Sequence, residues 1–256
     1  MGSERCRLFF ALGVGLLALQ SPAPSSAETP PCRTLAHERS RYVVCEADLR
    51  HQVVKFFWKR AGGEPYGYLA SLPQSLGERR GRLLFATNAG MYHPDYRPVG
   101  LYVENGRELV RANTKAGPGN FHMKPNGVFY VAGEVAGVLE TATFLKQKPQ
   151  AEFATQSGPM LVINNRLHPR FAHSGGSRKH RNGVGVLDPS TVVFAVSEAE
   201  VSFGEFARLF RDRLGCKNAL FLDGGSVPRL YSPEAPHTDN LLPLGPMIGV
   251  YERAAK

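Results

Sequence analysis

The sequence contains no apolar run long enough to cross a membrane. The longest such run, at 8–19 (LFFALGVGLLAL), is much shorter than the roughly 20 residues that a membrane-spanning helix needs. The histidines show neither HExxH nor another close ligand spacing, and the cysteines are too scattered for a zinc site. We therefore expect no stable membrane insertion, no bound metal and no cofactor.

Acidic residues are also scarce. The chain has 22 Asp and Glu residues against 31 Lys and Arg residues, a formal net charge of +9, and this excess favours anionic partners such as nucleic acids, lipid surfaces and phosphorylated or acidic glycans. The segment 1–27 places Arg5 and Arg7 before the apolar run and ends in small residues, which is typical of a secretory signal peptide. We expect a periplasmic or secreted protein, for which nucleic acid is the least favoured of these partners.

Removal of that segment would leave 28–256, which shows no obvious linker, low-complexity tract or repeat. A chain of this length suits one domain with a sizeable core. It keeps three cysteines, of which Cys32 and Cys45 are close enough in sequence to form a disulfide in an oxidising compartment. Cys216 would then be unpaired and buried, although proximity alone does not fix the pairing among the three.

Apolar and β-branched runs bounded by Gly, Pro, Asn and Asp recur along the chain, which indicates many short strands. Asn105 and Gly106 lie between two such runs and predict a two-residue hairpin turn. The segment 202–215 predicts a helix with a capping box and an apolar face. Flanked by strands, this helix suggests a strand-helix-strand crossover at 192–222 with parallel neighbours. We expect an α/β (α+β) fold, with a mixed, strand-rich central sheet and a few helices packed on it.

Two predicted strands end in polar residues beside glycine. Asp223 follows the run NALFL and precedes Gly224 and Gly225, while Asn88 and Gly90 follow the run RLLFA. Glycine lets the backbone approach a ligand closely, and ligands bind beyond the carboxyl ends of strands in open α/β sheets. The same residues also suit tight turns, so each segment alone is compatible with either interpretation.

Two further segments carry polar side chains next to predicted strands. Lys124 and Asn126 flank Pro125 before one strand, and Gln156 and Ser157 precede another. Lys124 could equally be a solvated surface charge. Ser157 resembles a nucleophile only superficially, because the flanking residues do not form a GxSxG elbow.

The stretch 174–186 (SGGSRKHRNGVGV) frames Arg178 and Arg181 with glycines. Guanidinium groups bind phosphate oxygens in pairs, and a glycine-rich backbone can close around them. The glycines do not fit a P-loop, and a solvated charge run would look much the same. Phosphate recognition is therefore one of two interpretations of this stretch.

Taken in order, these segments resemble the phosphodiester glycosidase family. The matching stretches are NAGMY (88–92), GLYVENG, NFHMKPNGVFYV, QSGPMLV, SRKHRNGVGV and LDGGS (222–226). Family members usually have NGGFF, so Ala89 replaces a glycine here, and they often have LDGGGS, which is one glycine longer.

The resemblance implies hydrolysis of a sugar 1-phosphodiester, which releases the sugar. It implies that Asp223 is the nucleophile or base and that Arg178 and Arg181 neutralise the phosphate leaving group. It also implies substrate-binding positions at Asn88, Gly90, Lys124, Asn126, Gln156, Ser157, Gly224 and Gly225. Two alternatives remain open: a non-catalytic binder of anionic envelope glycans or phospholipid head groups, and a phosphodiesterase that cuts the P–O bond.

Overall fold

The structure is a computed structural model that describes residues 1–2, 31–77, 81–171, 176–224, 230–233 and 242–253. Apart from its first two residues, the expected signal peptide lies outside the described residues, as does Gly225. The single domain from 28 to 256 therefore stays a prediction. Among the described residues, no helix has the length and apolar character needed to span a bilayer.

Short strands dominate the described part of the chain, as the recurring apolar runs predict. They are β1 (Cys32–His37), β2 (Ser40–Asp48), β3 (Gln52–Phe57), β4 (Leu83–Asn88), β5 (Tyr102–Glu104), β6 (Arg107–Val110), β7 (Gly127–Ala132), β8 (Val135–Glu140), β9 (Phe153–Ser157), β10 (Met160–Ile163), β11 (Arg166–Leu167), β12 (Arg181–Asp188), β13 (Thr191–Ser197), β14 (Asn218–Gly224), β15 (Leu230–Tyr231) and β16 (Met247–Glu252). The helices are α1 (Thr141–Gln147) and α2 (Phe203–Arg208), and α2 continues as a π-helical turn over Leu209–Arg213.

The strands form three antiparallel sheets. The first has the order β1-β2-β13-β12-β14-β10-β11, the second β15-β4-β16-β3 and the third β6-β5-β9-β7-β8. The expected α/β (α+β) class, with one mixed central sheet, is therefore wrong, because the fold is mostly β. The expected parallel neighbours within 192–222 are also wrong.

The predicted crossover is wrong because β12 lies between β13 and β14 in the sheet. Strand β12 forms a hairpin with β13, in which the Asp188 carboxylate accepts a hydrogen bond from the Ser190 N–H at 2.9 Å. On its other edge β12 pairs with β14, also antiparallel. Helix α2 therefore connects two strands that have β12 between them, and β13 and β14 are not hydrogen-bonded to each other.

Several local predictions are confirmed. Asn105 and Gly106 both have positive φ, 50° and 75°, at the tip of the β5–β6 hairpin. Ser202 and Glu205 form the reciprocal capping box at the start of α2. These features depend on a few adjacent residues, so the local sequence is enough to specify them.

The core lies on both faces of the first sheet. On one face Phe194 packs edge-on against Phe85 of the second sheet and Phe129 of the third, with ring centroids 5.8 and 5.9 Å apart. On the other face α2 buries Phe206 against the sheet. The side of the first sheet that faces the other two sheets is called the inner face below, and the side under α2 is the helix face.

Cys32 and Cys45 form a disulfide and Cys216 is free and buried, as proximity predicted. The two bonded cysteines lie directly opposite each other in the β1–β2 pair. The disulfide therefore fastens the edge strand β1 to the rest of the sheet.

Replacing both Cys32 and Cys45 with alanine should lower the free energy of unfolding by about 3 kcal/mol, because the unfolded chain loses a covalent loop. Urea unfolding with and without reductant measures this. Cys216→Ala, which leaves the disulfide in place, is the control and should keep the parent's response to reductant. If reductant does not shift the unfolding curve of the parent protein, the prediction is contradicted.

Candidate active site

Strands of the first and second sheets meet through two buried asparagines. Asn88 is the last residue of β4, and Asn182 is the second residue of β12. The Asn182 Nδ2 donates to Asn88 Oδ1 at 2.7 Å, to Asn88 O at 3.1 Å and to Thr87 Oγ1 at 3.0 Å. All three residues are fully buried. Since hydrogen bonds in such an environment gain strength from the low local dielectric, this contact fixes the ends of β4 and β12 relative to each other.

The third sheet reaches the same place through β9. The buried Ser157 hydroxyl donates to the carbonyl oxygen of Leu222 in β14. Beside it, the Gly90 N–H donates to Thr155 Oγ1 at 3.3 Å. A Cβ at Gly90 would lie 2.5 Å from the Gln156 carbonyl oxygen, so only glycine allows the chain after β4 to pass this close to β9.

Asp223 comes next to this contact because the pairing of β12 with β14 changes register. Arg181 pairs with Gly224 and Gly183 pairs with Phe221, so Leu222 and Asp223 together oppose Asn182. A Cβ at Gly224 would lie 2.8 Å from Phe221 Cζ, which places Gly224 on the helix face with Phe221. The extra residue of this β-bulge therefore puts Asp223 on the inner face, on the side of Asn182.

The Asp223 carboxyl has an unusual acidity. Burial penalises its charged form and raises its pKa to about 7, although the Gly224 N–H, which donates to Asp223 Oδ1 at 2.7 Å, opposes the shift. A carboxyl group with a pKa in this range can gain or lose a proton under neutral conditions. Such groups cluster at functional sites.

We call Asn88, Ser157, Asn182 and Asp223 the strand-end cluster. It contains one titratable carboxyl, two amides and one hydroxyl at the junction of three sheets. Within the described residues the Asn182 Oδ1 is buried and has no hydrogen-bond partner. Buried polar atoms without a partner are rare in native proteins, so this oxygen marks a place where an ordered water or a ligand hydroxyl would donate.

Three other residues that the sequence predicted to bind substrate form hydrogen bonds to backbone groups of neighbouring loops. Gln156 Oε1 accepts from the N–H groups of Leu101 and Asn113, and its Nε2 donates to Asn113 O. The Asn126 Nδ2 donates to Phe121 O, and its Oδ1 accepts a hydrogen bond from the Thr141 hydroxyl. The Lys124 ammonium donates to Thr114 O at 2.7 Å. Direct substrate contact by Gln156, Asn126 and Lys124 stays a prediction, and the structure gives each of them a positioning role.

The two arginines lie on the helix face. Arg181 is buried. Its Nε donates to Val201 O, and its Nη2 donates to Ser177 O. Its guanidinium carbon lies 3.5 Å from the Phe203 ring centroid. Burial lowers the pKa of Arg181 to about 10, so it remains charged at neutral pH.

Arg178 forms an ion pair with Glu205 at 2.7 Å. It lines a cleft of about 640 Å³ together with Glu38, Arg39, Gly176, Ser202, Glu205 and Arg208. No ion pair between Asp223 and either Arg178 or Arg181 occurs in the described ranges. The structure thus brings Asn88, Ser157 and Asp223 together and leaves the arginines on the opposite face of the sheet.

The sequence did not single out Asn182 and Thr87. A period-two pattern could have found Asn182, because it shares a face with Val184 and Val186, which pack into the core. A polar residue that continues an apolar face at a strand end is a site signal. In the part of the chain that the structure describes, no three His, Cys, Asp or Glu side chains lie together as a metal site.

Comparison with known proteins gives a family match, a related protein and two similar solved structures. The sequence model of the phosphodiester glycosidase family matches residues 81–251 of this chain. The chain is 40% identical over 178 residues to the uncharacterized protein YigE of Escherichia coli (strain K12), which covers 70% of this chain and 69% of the relative. The zebrafish N-acetylglucosamine-1-phosphodiester alpha-N-acetylglucosaminidase catalytic domain, auto-inhibited by its pro-peptide, superposes with a TM-score of 0.59 at 13% identity, covering 89% of this chain and 85% of that one.

A hypothetical protein from Synechocystis is also similar in structure. Its TM-score is 0.53 at 14% identity, over 87% of this chain and 61% of that chain. At such low identity the two structural matches show a shared fold.

The raised pKa of Asp223 should make stability depend on pH. The folded protein holds this proton up to about pH 7, whereas the unfolded chain releases it at about pH 4. The unfolded state therefore binds fewer protons across this interval, and stability falls as the pH rises through it. Relative to Asp223→Asn, the parent should lose up to about 4 kcal/mol between these pH values.

Urea unfolding of the parent and Asp223→Asn across this interval measures the difference. Other titrating groups are common to both proteins and cancel in the comparison. Parallel stability curves for the two proteins would show that Asp223 has an ordinary pKa.

Proposed function

The chain belongs to the phosphodiester glycosidase family, and we propose that it is an exported hydrolase that cleaves a sugar 1-phosphodiester. The products would be the free sugar and a phosphomonoester. The observation that carries this proposal is the strand-end cluster, in which Asp223, with a pKa near neutrality, lies on β14 opposite Asn182 and the Asn182–Asn88 hydrogen bond. The zebrafish enzyme named above acts on an N-acetylglucosamine-1-phosphodiester, which makes that class of substrate the first to test.

Asp223 is proposed as the nucleophile or the general base. Cleavage at the anomeric carbon passes through a transition state with oxocarbenium character, which a carboxylate or an activated water stabilises. A base whose pKa is close to the working pH is efficient at taking a proton from water. Both roles need the ionised form of Asp223, so activity should rise as the pH rises through about 7.

Asn182 and Asn88 are proposed to position the substrate. Among the described residues the buried Oδ1 of Asn182 has no hydrogen-bond partner, and we propose that a sugar hydroxyl donates to it. The hydrogen bonds from Asn182 to Asn88 and Thr87 hold that amide in one orientation. Substrate groups are therefore met by side chains that are already ordered, which reduces the entropy lost on binding.

Arg181 is proposed to act through its charge and not by direct contact. Its Nε and Nη2 donate hydrogen bonds to backbone carbonyls on the helix face. Its neighbour Asn182 lies on the inner face. A buried guanidinium makes the nearby potential positive, which favours a phosphate leaving group. Arg178 is paired with Glu205 and would have to leave that carboxylate to bind phosphate.

Export is proposed on two grounds. The chain forms the Cys32–Cys45 disulfide, and disulfides persist in oxidising compartments. The N-terminal sequence has the features of a signal peptide. The excess of basic residues, 31 against 22 acidic ones, favours anionic carbohydrate in such a compartment.

Purified protein should release sugar from the methyl diester of N-acetylglucosamine 1-phosphate. Asp223→Asn should lower kcat by roughly 10²- to 10⁴-fold, because it removes the ionisable oxygen but keeps the shape of the side chain. Asp212→Asn is the matched control, since Asp212 is exposed, pairs with Arg211 and belongs to the π-helical turn after α2, outside the strand-end cluster. Sugar release is measured by a coupled assay or by chromatography.

The reaction in ¹⁸O-labelled water separates the proposal from its alternatives. Label in the released sugar supports a glycosidase, whereas label in the phosphate means that the P–O bond is cut. Binding of the diester without any turnover would instead indicate a non-catalytic binder. Full activity in Asp223→Asn would refute the role given to the carboxyl group.

A further inference from the structure

A short hairpin follows Asn88 and carries two tyrosines. In this tyrosine hairpin, residues 91–99, the Val99 N–H donates to Met91 O and the His93 N–H donates to Arg97 O. Tyr92 and Pro98 form an isolated bridge at its base. The segment is therefore ordered by its own backbone, although it belongs to none of the three sheets.

The hairpin lies at the edge of the strand-end cluster. The ring of Tyr92 covers Gly245, where a Cβ would lie 2.5 Å from Tyr92 Cγ, and the Tyr92 hydroxyl donates to Pro243 O. Met247, two residues after Gly245, is the strand partner of Asn88. Gly245 and Pro246 form a bend, and the Ala89 N–H donates to Pro246 O at 2.9 Å, so the base of the hairpin lies close to Asn88.

Tyr96 packs on Tyr92 at the tip. The two ring centroids are 6.2 Å apart with an angle of 31° between the ring planes, and both side chains remain partly exposed. Asp95 and Arg97 flank Tyr96, are exposed and approach each other within 3.7 Å. The tip thus offers an aromatic surface next to hydrogen-bonding groups of both signs.

The backbone at Tyr96 is in an uncommon conformation. Its φ is +64°, a left-handed region that a bulky residue enters at a cost and that asparagine tolerates much better. The Tyr96 N–H donates to His93 O, so the turn holds the residue in this state. A strained position that keeps a large, half-exposed aromatic ring suggests that the ring itself is used.

We propose that Tyr96, supported from behind by Tyr92, stacks on the apolar face of a pyranose ring of the substrate. One face of such a ring consists of C–H groups, which match the electron-rich face of an aromatic side chain. Asp95 and Arg97 would bind hydroxyls at the rim of the same ring. This inference rests on the proposed function, because it names the part of the substrate that lies beside the strand-end cluster.

The test uses the Asp223→Asn protein, so that binding is measured without turnover. Its Kd is determined by calorimetry for two probes: the methyl diester of N-acetylglucosamine 1-phosphate, and a diester that joins the same sugar phosphate to O6 of methyl mannoside. Adding Tyr96→Asn should weaken binding about 3- to 10-fold. Adding Tyr96→Phe, which keeps the ring, should leave Kd unchanged.

The two probes distinguish which ring is stacked. Weaker binding of both probes places the anomeric sugar on Tyr96, whereas weaker binding of the mannoside diester alone places the second sugar there. The thermal midpoint provides the structural control. Tyr96→Asn relieves the backbone conformation, so the midpoint should stay the same or rise.

Two results would overturn the inference. One is an unchanged Kd for both probes in Tyr96→Asn. The other is a weaker Kd in Tyr96→Asn together with a lower thermal midpoint and an equally weakened Kd in Tyr96→Phe, which would mean that Tyr96 only supports the fold. Failure of the proposed function is distinguishable, because then Asp223→Asn itself would bind neither probe and the parent would release no sugar.

Discussion

The direction of Asp223 depends on one extra residue in β14. If β12 and β14 were paired without a break, side chains would alternate strictly, and Asp223 would share the helix face with Phe221. The register shift between Arg181 and Gly183 instead places Leu222 and Asp223 together opposite Asn182. The bulge thereby turns a carboxyl group toward the junction of three sheets. Bulges commonly re-aim side chains in this way next to functional sites.

The site is held rigidly because each strand that supplies it is also part of the core. In β9, Phe153 lies in the core, and Thr155 and Ser157 follow on the same face. In β12 the order is reversed, with Asn182 preceding Val184 of the core. Each strand therefore changes from apolar to polar along one face as it reaches the junction. Side chains placed on such strands keep their geometry better than side chains on loops.

Local features could be predicted from the sequence, and long-range pairing could not. The Asn105–Gly106 turn and the capping box of α2 depend on adjacent residues. The parallel crossover was wrong because strand, helix and strand in sequence do not show that β12 lies between the two strands. Asp223 and Asn88 could be singled out as candidates because polar residues end their strands. The contact between Asn182 and Asn88 could not be predicted, because 94 residues separate them.

The separation of Asp223 from Arg181 explains the acidity of the carboxyl group. A guanidinium within about 4–6 Å would favour the charged form and lower the pKa of an aspartate by roughly 1–3 units. The hydrogen bonds from Arg181 to Val201 and Ser177 keep its charge on the helix face. On the inner face burial dominates, and the pKa of Asp223 rises to about 7. One bulge therefore determines both where the carboxyl group points and whether it carries a proton at neutral pH.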